Sequence, residues 1–189
     1  MSMLPFFNHL AGAGMAGAEG VGATGGGLEP GAGTGTGAGT QVQLKYRAVI
    51  QEIGPQVPEF LPHGILIFFG PQAPAELREV SLVHTGATLQ GVIEVGDWLC
   101  FREPPGEGDS AEAGVGRVLR YRVTAVGEVA SANLAELGHL VVHFDGAAEA
   151  ALPGTISVAP ALLHLPPVGT ILELLRLEDC HTYESGCGT

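Results

Sequence analysis

Positive charge is scarce in this chain. Its 189 residues hold 8 Lys plus Arg against 20 Asp plus Glu, a formal net charge of −12, and Lys45 is the sole lysine. A surface this acidic repels phosphate backbones and anionic lipid, which argues against unspecific nucleic-acid binding and against direct attachment to a membrane. The same charge suits a basic protein partner. Cysteine is scarce too: Cys100, Cys180 and Cys187 make an odd count with no framework spacing, which points to a reducing compartment. No apolar run approaches the roughly 18–20 residues that span a bilayer. The opening "MSMLPFFNHL" lacks the basic region of a secretory signal. The expected location is cytoplasmic.

Familiar catalytic signatures are missing as well. The chain has no G-x-x-x-x-G-K-[ST], no H-E-x-x-H and no C-x-x-C, and Ser110 in "GDSAEAG" does not satisfy G-x-S-x-G. "GAGMAG" (12–17) matches G-x-G-x-x-G in letters only, because no strand precedes it and no helix follows. Cys180, His181 and Cys187 fit no common zinc spacing. Neither a cofactor nor a metal is expected.

What the chain does have is glycine and short apolar runs. Residues 11–40 carry thirteen of the thirty glycines and almost no large apolar side chain. They cannot bury enough surface to offset backbone entropy, so residues 1–40 are expected to be a flexible Gly/Ala-rich extension. Order is expected over 41–177, followed by an acidic tail, 178–189. "QVQLKYRAVIQEI" alternates as a half-buried strand, with Val42, Leu44, Tyr46, Ala48 and Ile50 on one face and Lys45 and Arg47 on the other. Pro55, Pro58 and Pro62 then bar regular structure. "GILIFFG", "SLVHTG", "TLQGVI", "GDWLCF", "VLRYRVTAVGEV", "HLVVHF", "GTISVA" and "TILELLRL" read as further strands. Gly127 reads as a bulge or bend. "APAELREV" and "ASANLAELG" read as short helices, the second capped by Ser131 and ended by Gly138. Residues 103–116 form an acidic Gly/Pro loop. The fold class expected is all-β with minor α: a small antiparallel β-barrel-like domain with one or two short helices.

Histidines are the candidate chemical groups. His84 closes an apolar run, and His139 and His143 lie four apart in an expected strand, hence on one face. A histidine flanked by Leu82 and Val83 is, taken alone, more often packed than reactive.

The block "YRVTAVGEVASANLAELGHLVVHFDG" with "LPGTISV" alters that balance. It resembles the glucitol/sorbitol-specific enzyme IIA component of the bacterial phosphotransferase system, most strongly at Val123–Gly127, Asn133–Leu134, Glu136–His139, Phe144–Gly146 and Pro153–Thr155. Upstream, "ILIFFGPQAPAELREVSLVHTGATLQG" is similar to the same family, including Ala73–Pro74 and Leu89 with Gly91. The likeness runs from about residue 42 to 176. It implies that His84 is the phosphoryl acceptor, taking the group from the histidine carrier HPr and passing it to the IIB component, which works with IIC in uptake of glucitol/sorbitol or a related polyol. On that reading the membrane is met only through the transporter.

An activated phosphoramidate donor needs no nucleotide pocket, and a histidine acts as the covalent nucleophile. His139 also matches a family histidine and is a candidate phosphate stabiliser; a structural hydrogen bond is its equal alternative. The Thr85 hydroxyl is a candidate phosphate donor, and His143 reads as structural or surface. "TGAT" after His84 departs from the enterobacterial pattern, which carries a second histidine and an acidic residue there. The rival readings are a regulatory or binding module that keeps the IIA fold, and a structural role for the glycine-rich arm.

Overall fold

The computed structural model describes residues 41–86, 89–106, 116–161 and 164–178. The glycine-rich extension, "GAGMAG", most of the acidic loop and the tail with Cys180, His181 and Cys187 lie outside the described residues. Eight strands close into a barrel: β1 (Gln41–Ile53), β2 (Ile65–Phe69), β3 (Leu82–Thr85), β4 (Trp98–Arg102), β5 (Val118–Val126), β6 (Leu140–His143), β7 (Thr155–Val158) and β8 (Ile171–Glu178). Their order around the ring is β1-β3-β2-β6-β7-β5-β4-β8. The all-β barrel matches the expectation, with one refinement: β2 runs parallel to β3, and β6 to β7. Both pairs are joined by excursions longer than a hairpin. The first carries the short helix α2 (Ala75–Arg78), held to the barrel by Arg78 donating to Glu52 at 2.6 Å.

Period-two alternation builds the core. Tyr46, Ala48 and Ile50 of β1 meet Leu66 and Phe68, Leu140 and Val142, Ile156 and Val158, and Leu172 and Leu174 inside the ring. β1 does not keep a single apolar face, however. A bulge sets Leu44 opposite Leu175 and Tyr46 opposite Leu174, leaving Lys45 as the extra residue. Tyr46 therefore points inward, whereas Val42 and Leu44 are exposed, and Lys45 is buried instead of solvated.

Two more expectations are revised. "TLQGVI" supplies no strand over its described residues; residues 89–97 form an irregular crossing that Gln90 ties to the Lys45 carbonyl through its N–H, at 2.7 Å. The Pro55–Pro62 stretch forms a helical turn, α1 (Val57–Phe60), and a 3-10 turn (Leu61–His63), because proline is tolerated in a first turn where no N–H is needed.

Helix α3 (Ala130–Leu137) plugs one barrel end, with Ala130 and Leu134 buried among the core side chains. Burying a leucine side chain is worth about 1.5–3 kcal/mol, which exceeds what eight residues of helix propensity supply. Gly138 ends the helix as expected, in the left-handed region at φ 64°. Ser131 is not its cap: Val129 occupies that position, and the Ser131 hydroxyl accepts the Ile93 N–H at 2.9 Å, tying residues 89–97 to the helix. Gly127 lies just past the end of β5, and a Cβ there would meet the Pro153 carbonyl oxygen at 2.2 Å. The bulge in β5 falls between Val123 and Ala125 instead.

Candidate functional site

Strand direction decides which residues share the plugged end. The ends of β2, β3, β5 and β8 and the starts of β1, β4, β6 and β7 all gather there, as the registers Val49–Thr85, Phe68–Leu140, Val141–Thr155, Val126–Ile156 and Gln41–Glu178 require. His84, one residue before the end of β3, faces the barrel interior beneath the C-terminus of α3. It is 1% exposed. Its Nε2 lies 2.9 Å from the Gly138 carbonyl oxygen and its Nδ1 3.5 Å from the Tyr46 hydroxyl. The Tyr46 ring stands edge-on to the imidazole at 5.8 Å, and Phe68 lies tilted at 6.4 Å.

This geometry selects a tautomer. A carbonyl only accepts, so Nε2 carries the proton and Nδ1 holds the lone pair. Burial lowers the His84 pKa below the ordinary 6.5, opposed by the Gly138 carbonyl. Burial raises that of Tyr46, which stays a neutral phenol able to donate to Nδ1. The product is a neutral imidazole, oriented on both edges.

His139, expected to share a strand with His143, instead lies just before β6, one residue on from that carbonyl. It is half-buried; its Nδ1 donates to the Phe68 carbonyl at 3.2 Å, and its ring packs on Phe69 at 4.9 Å. Burial lowers its pKa too, opposed by the Phe68 carbonyl. The two histidines thus share one seam, where the α3–β6 corner meets the ends of β2 and β3. The seam is tight: the Gly70 N–H donates to Leu137 at 2.9 Å, and a Cβ on Gly138 would meet Gly70 N at 2.7 Å and His84 Cε1 at 3.0 Å.

Thr85 turns to the opposite face of β3 from His84, as alternation requires. His143 pairs with Ile65 at the other barrel end, so it does not join the seam. Of the three site residues read from sequence, the fold sets His84 and His139 on either side of the Gly138 corner, His84 beside Tyr46 and Phe68 and His139 against Phe69, and turns the Thr85 side chain to the opposite face of β3. Tyr46 and Gly138 are the contributors that reading missed. Gly138 was visible as a helix stop and inside the family-like run Glu136–His139 but not as a histidine's partner, and nothing local marks a tyrosine 38 residues away as a histidine's neighbour. Among the described residues no cluster of three His, Cys, Asp or Glu side chains could hold a metal ion.

Both histidines stay neutral in the folded state while their unfolded counterparts take up protons near pH 6.5. The unfolded chain then binds more protons, so stability is full above that pH and falls as pH drops through 6.5 toward the lower folded pKa values. Melting temperatures at pH 7.5, 6.5 and 5.5 should decline, and His84→Gln should flatten that slope. Equal slopes for wild type and variant would contradict a neutral buried His84. Glu94, held low by the Lys45 ammonium, titrates below this window.

Comparison with known proteins bears on what the seam does. Residues 45–105 and 108–173 match the family model described as PTS system glucitol/sorbitol-specific IIA component. The chain is 38% identical over 134 residues to the PTS system glucitol/sorbitol-specific EIIA components of Shigella flexneri and of Escherichia coli strain K12. Each match covers 71% of this chain and 97% of the relative. The crystal structure of a PTS system IIA component from Enterococcus faecalis V583 superposes with a TM-score of 0.53 at 20% identity, covering 68% of this chain and 98% of that one. That structural likeness speaks for the fold. No helix among the described residues is long and apolar enough to cross a membrane.

Proposed function

The chain belongs to the family of glucitol/sorbitol-specific IIA components of the phosphotransferase system, and from that premise we propose that His84 is its phosphoryl carrier. In this reading His84 takes the phosphoryl group from phosphohistidine on HPr and passes it to the IIB component, for uptake of glucitol/sorbitol or a related polyol in the cytoplasm. The observation that carries it is the state of the imidazole: neutral, tautomer-selected by the Gly138 carbonyl, and set at the plugged end of the barrel. One N–P bond breaks on the donor histidine as another forms on His84. Phosphoramidate replaces phosphoramidate, and neither a nucleotide nor a metal is called for. His139, at the same Gly138 corner, is proposed as the phosphate stabiliser; the Thr85 hydroxyl, on the opposite face of β3 from His84, is left out of that role.

The reading makes a demand of the fold. With 1% exposure and its lone pair turned toward Tyr46, the imidazole has to leave the Gly138 carbonyl to meet a donor. That burial favours a second reading, a regulatory or binding module that keeps the IIA fold without phosphorylation. One experiment separates them: incubation with phosphoenolpyruvate, enzyme I and HPr, then phosphopeptide mapping. The expected product is an acid-labile, alkali-stable phosphate on the peptide containing His84. A label confined to any other residue overturns the assignment, and no label from a competent HPr establishes the second reading.

A further inference from the structure

Eight large apolar side chains are exposed among the described residues, and seven of them lie at the plugged end of the barrel. Val92 and Val95 belong to the crossing before β4, Val129 and Leu137 flank or end α3, and Leu152 precedes β7. Val42 and Leu44 join them through the β1 bulge, which brings the first residues of β1 beside Arg176 and the end of β8. Only Val168, between β7 and β8, sits at the far end. Scattered apolar residues are ordinary on a protein surface, but their concentration on one end is the mark of an interaction site.

The same end carries acid. Glu94, Glu128, Glu136 and Glu149 are exposed there. The cations nearby are engaged: Arg176 with Asp97 at 3.0 Å, Arg122 over the Trp98 ring at 5.6 Å, and Lys45 buried. A shallow, open depression of about 460 Å³ lies among Val95, Gly127, Glu128, Glu149, Leu152 and Pro153, so apolar side chains and two carboxylates share its lining.

We propose that this end is the docking face for a protein partner that presents an apolar side chain ringed by lysine and arginine, and that the depression receives that side chain. The partner is the phosphoryl donor of the reading above, on which this inference rests. Charge decides among the alternatives. A second copy would set −12 against −12, and an anionic bilayer would be repelled in the same way. Size agrees: α3 separates depression from seam by roughly 12 Å, and a standard partner footprint of about 800 Å² is some 30 Å across, enough to cover both.

The test uses Val129→Arg and Leu152→Arg at the face, with Val168→Arg at the far end as control. All three positions are exposed, at 38%, 45% and 51%. Labelling of His84 is measured against the concentration of phospho-HPr and, separately, with phosphoramidate, a small donor that needs no docking. The two face variants should raise the KM for phospho-HPr about tenfold, the loss of one interface anchor, with phosphoramidate labelling unchanged. Val168→Arg should behave as wild type.

Face variants indistinguishable from Val168→Arg would overturn the proposal. So would sedimentation showing wild-type dimers that the same variants dissociate. If no donor labels wild-type His84, the functional reading fails by itself. The face is then judged by titration with unphosphorylated HPr: binding lost in Leu152→Arg upholds it, and equal binding overturns it.

Discussion

His84→Gln is expected to abolish phosphoryl acceptance from phospho-HPr while leaving a folded barrel. Glutamine is the informative replacement because its amide N–H₂ can still donate to the Gly138 carbonyl, which holds the imidazole at 2.9 Å in the wild type. The seam between α3 and the ends of β2 and β3 then keeps its hydrogen bond, and the buried carbonyl is not orphaned. What is lost is an imidazole nitrogen with a lone pair, the one feature needed to form an N–P bond. The label should fall to background, with circular dichroism and melting behaviour at pH 7.5 close to wild type. His139→Gln should retain label at a reduced rate if that ring steadies the phosphate, and at an unchanged rate if its bond to Phe68 is purely structural. Stoichiometric labelling of His84→Gln would remove His84 from the pathway.

Part of this was readable from the chain. Alternation in "QVQLKYRAVIQEI" and "TILELLRL" announced strands, and Gly138 announced the end of α3, because these are local consequences of backbone periodicity and of glycine's access to positive φ. The bulge at Lys45 was not readable. A one-residue offset between β1 and β8 depends on both strands, yet it moves Tyr46 to the core and Leu44 to the surface. Ser131 shows the same limit from the side of a hydrogen bond: its hydroxyl suits a helix cap in sequence, and tertiary structure gives it to Ile93. The parallel pairs arise where chain returns through longer excursions, which periodicity does not register. For the site, the family resemblance singled out His84 and His139. Their common seam came only with the closed barrel, which sets a helix end, a glycine carbonyl and a strand end in contact.

Lys45→Met carries the largest expected effect on stability. The ammonium is 4% exposed and donates to Asp97 at 2.8 Å, to Glu94 at 2.7 Å and to the Val92 carbonyl at 2.9 Å. Burial, the largest single influence, lowers its pKa, but Asp97 and Glu94 together outweigh it, and the net shift is upward. Asp97 is fully buried and would survive the substitution with Arg176 at 3.0 Å and the Glu94 N–H at 2.8 Å as partners. Breaking a buried pair from one side costs about 3–5 kcal/mol, and those remaining partners put this case near the lower figure. At roughly 3–4 °C per kcal/mol for a domain of this size, the melting temperature should fall by about 10 °C.

The sign of the pH dependence adds a second check. A lysine whose folded pKa is raised contributes fully below its unfolded value of 10.5, and the contribution is lost as pH rises through the folded value. The gap between wild type and Lys45→Met should therefore be constant from pH 7 to 9 and narrow above 10.5. Because Lys45 pins residues 89–97, which carry Val92 and Val95, the variant should also loosen that crossing. Backbone amide exchange at Ile93 and Glu94 should quicken more than at the core strand β8. A loss under 1 kcal/mol with unaltered exchange would mean that the bulge, and not the ion pairs, holds the crossing in place.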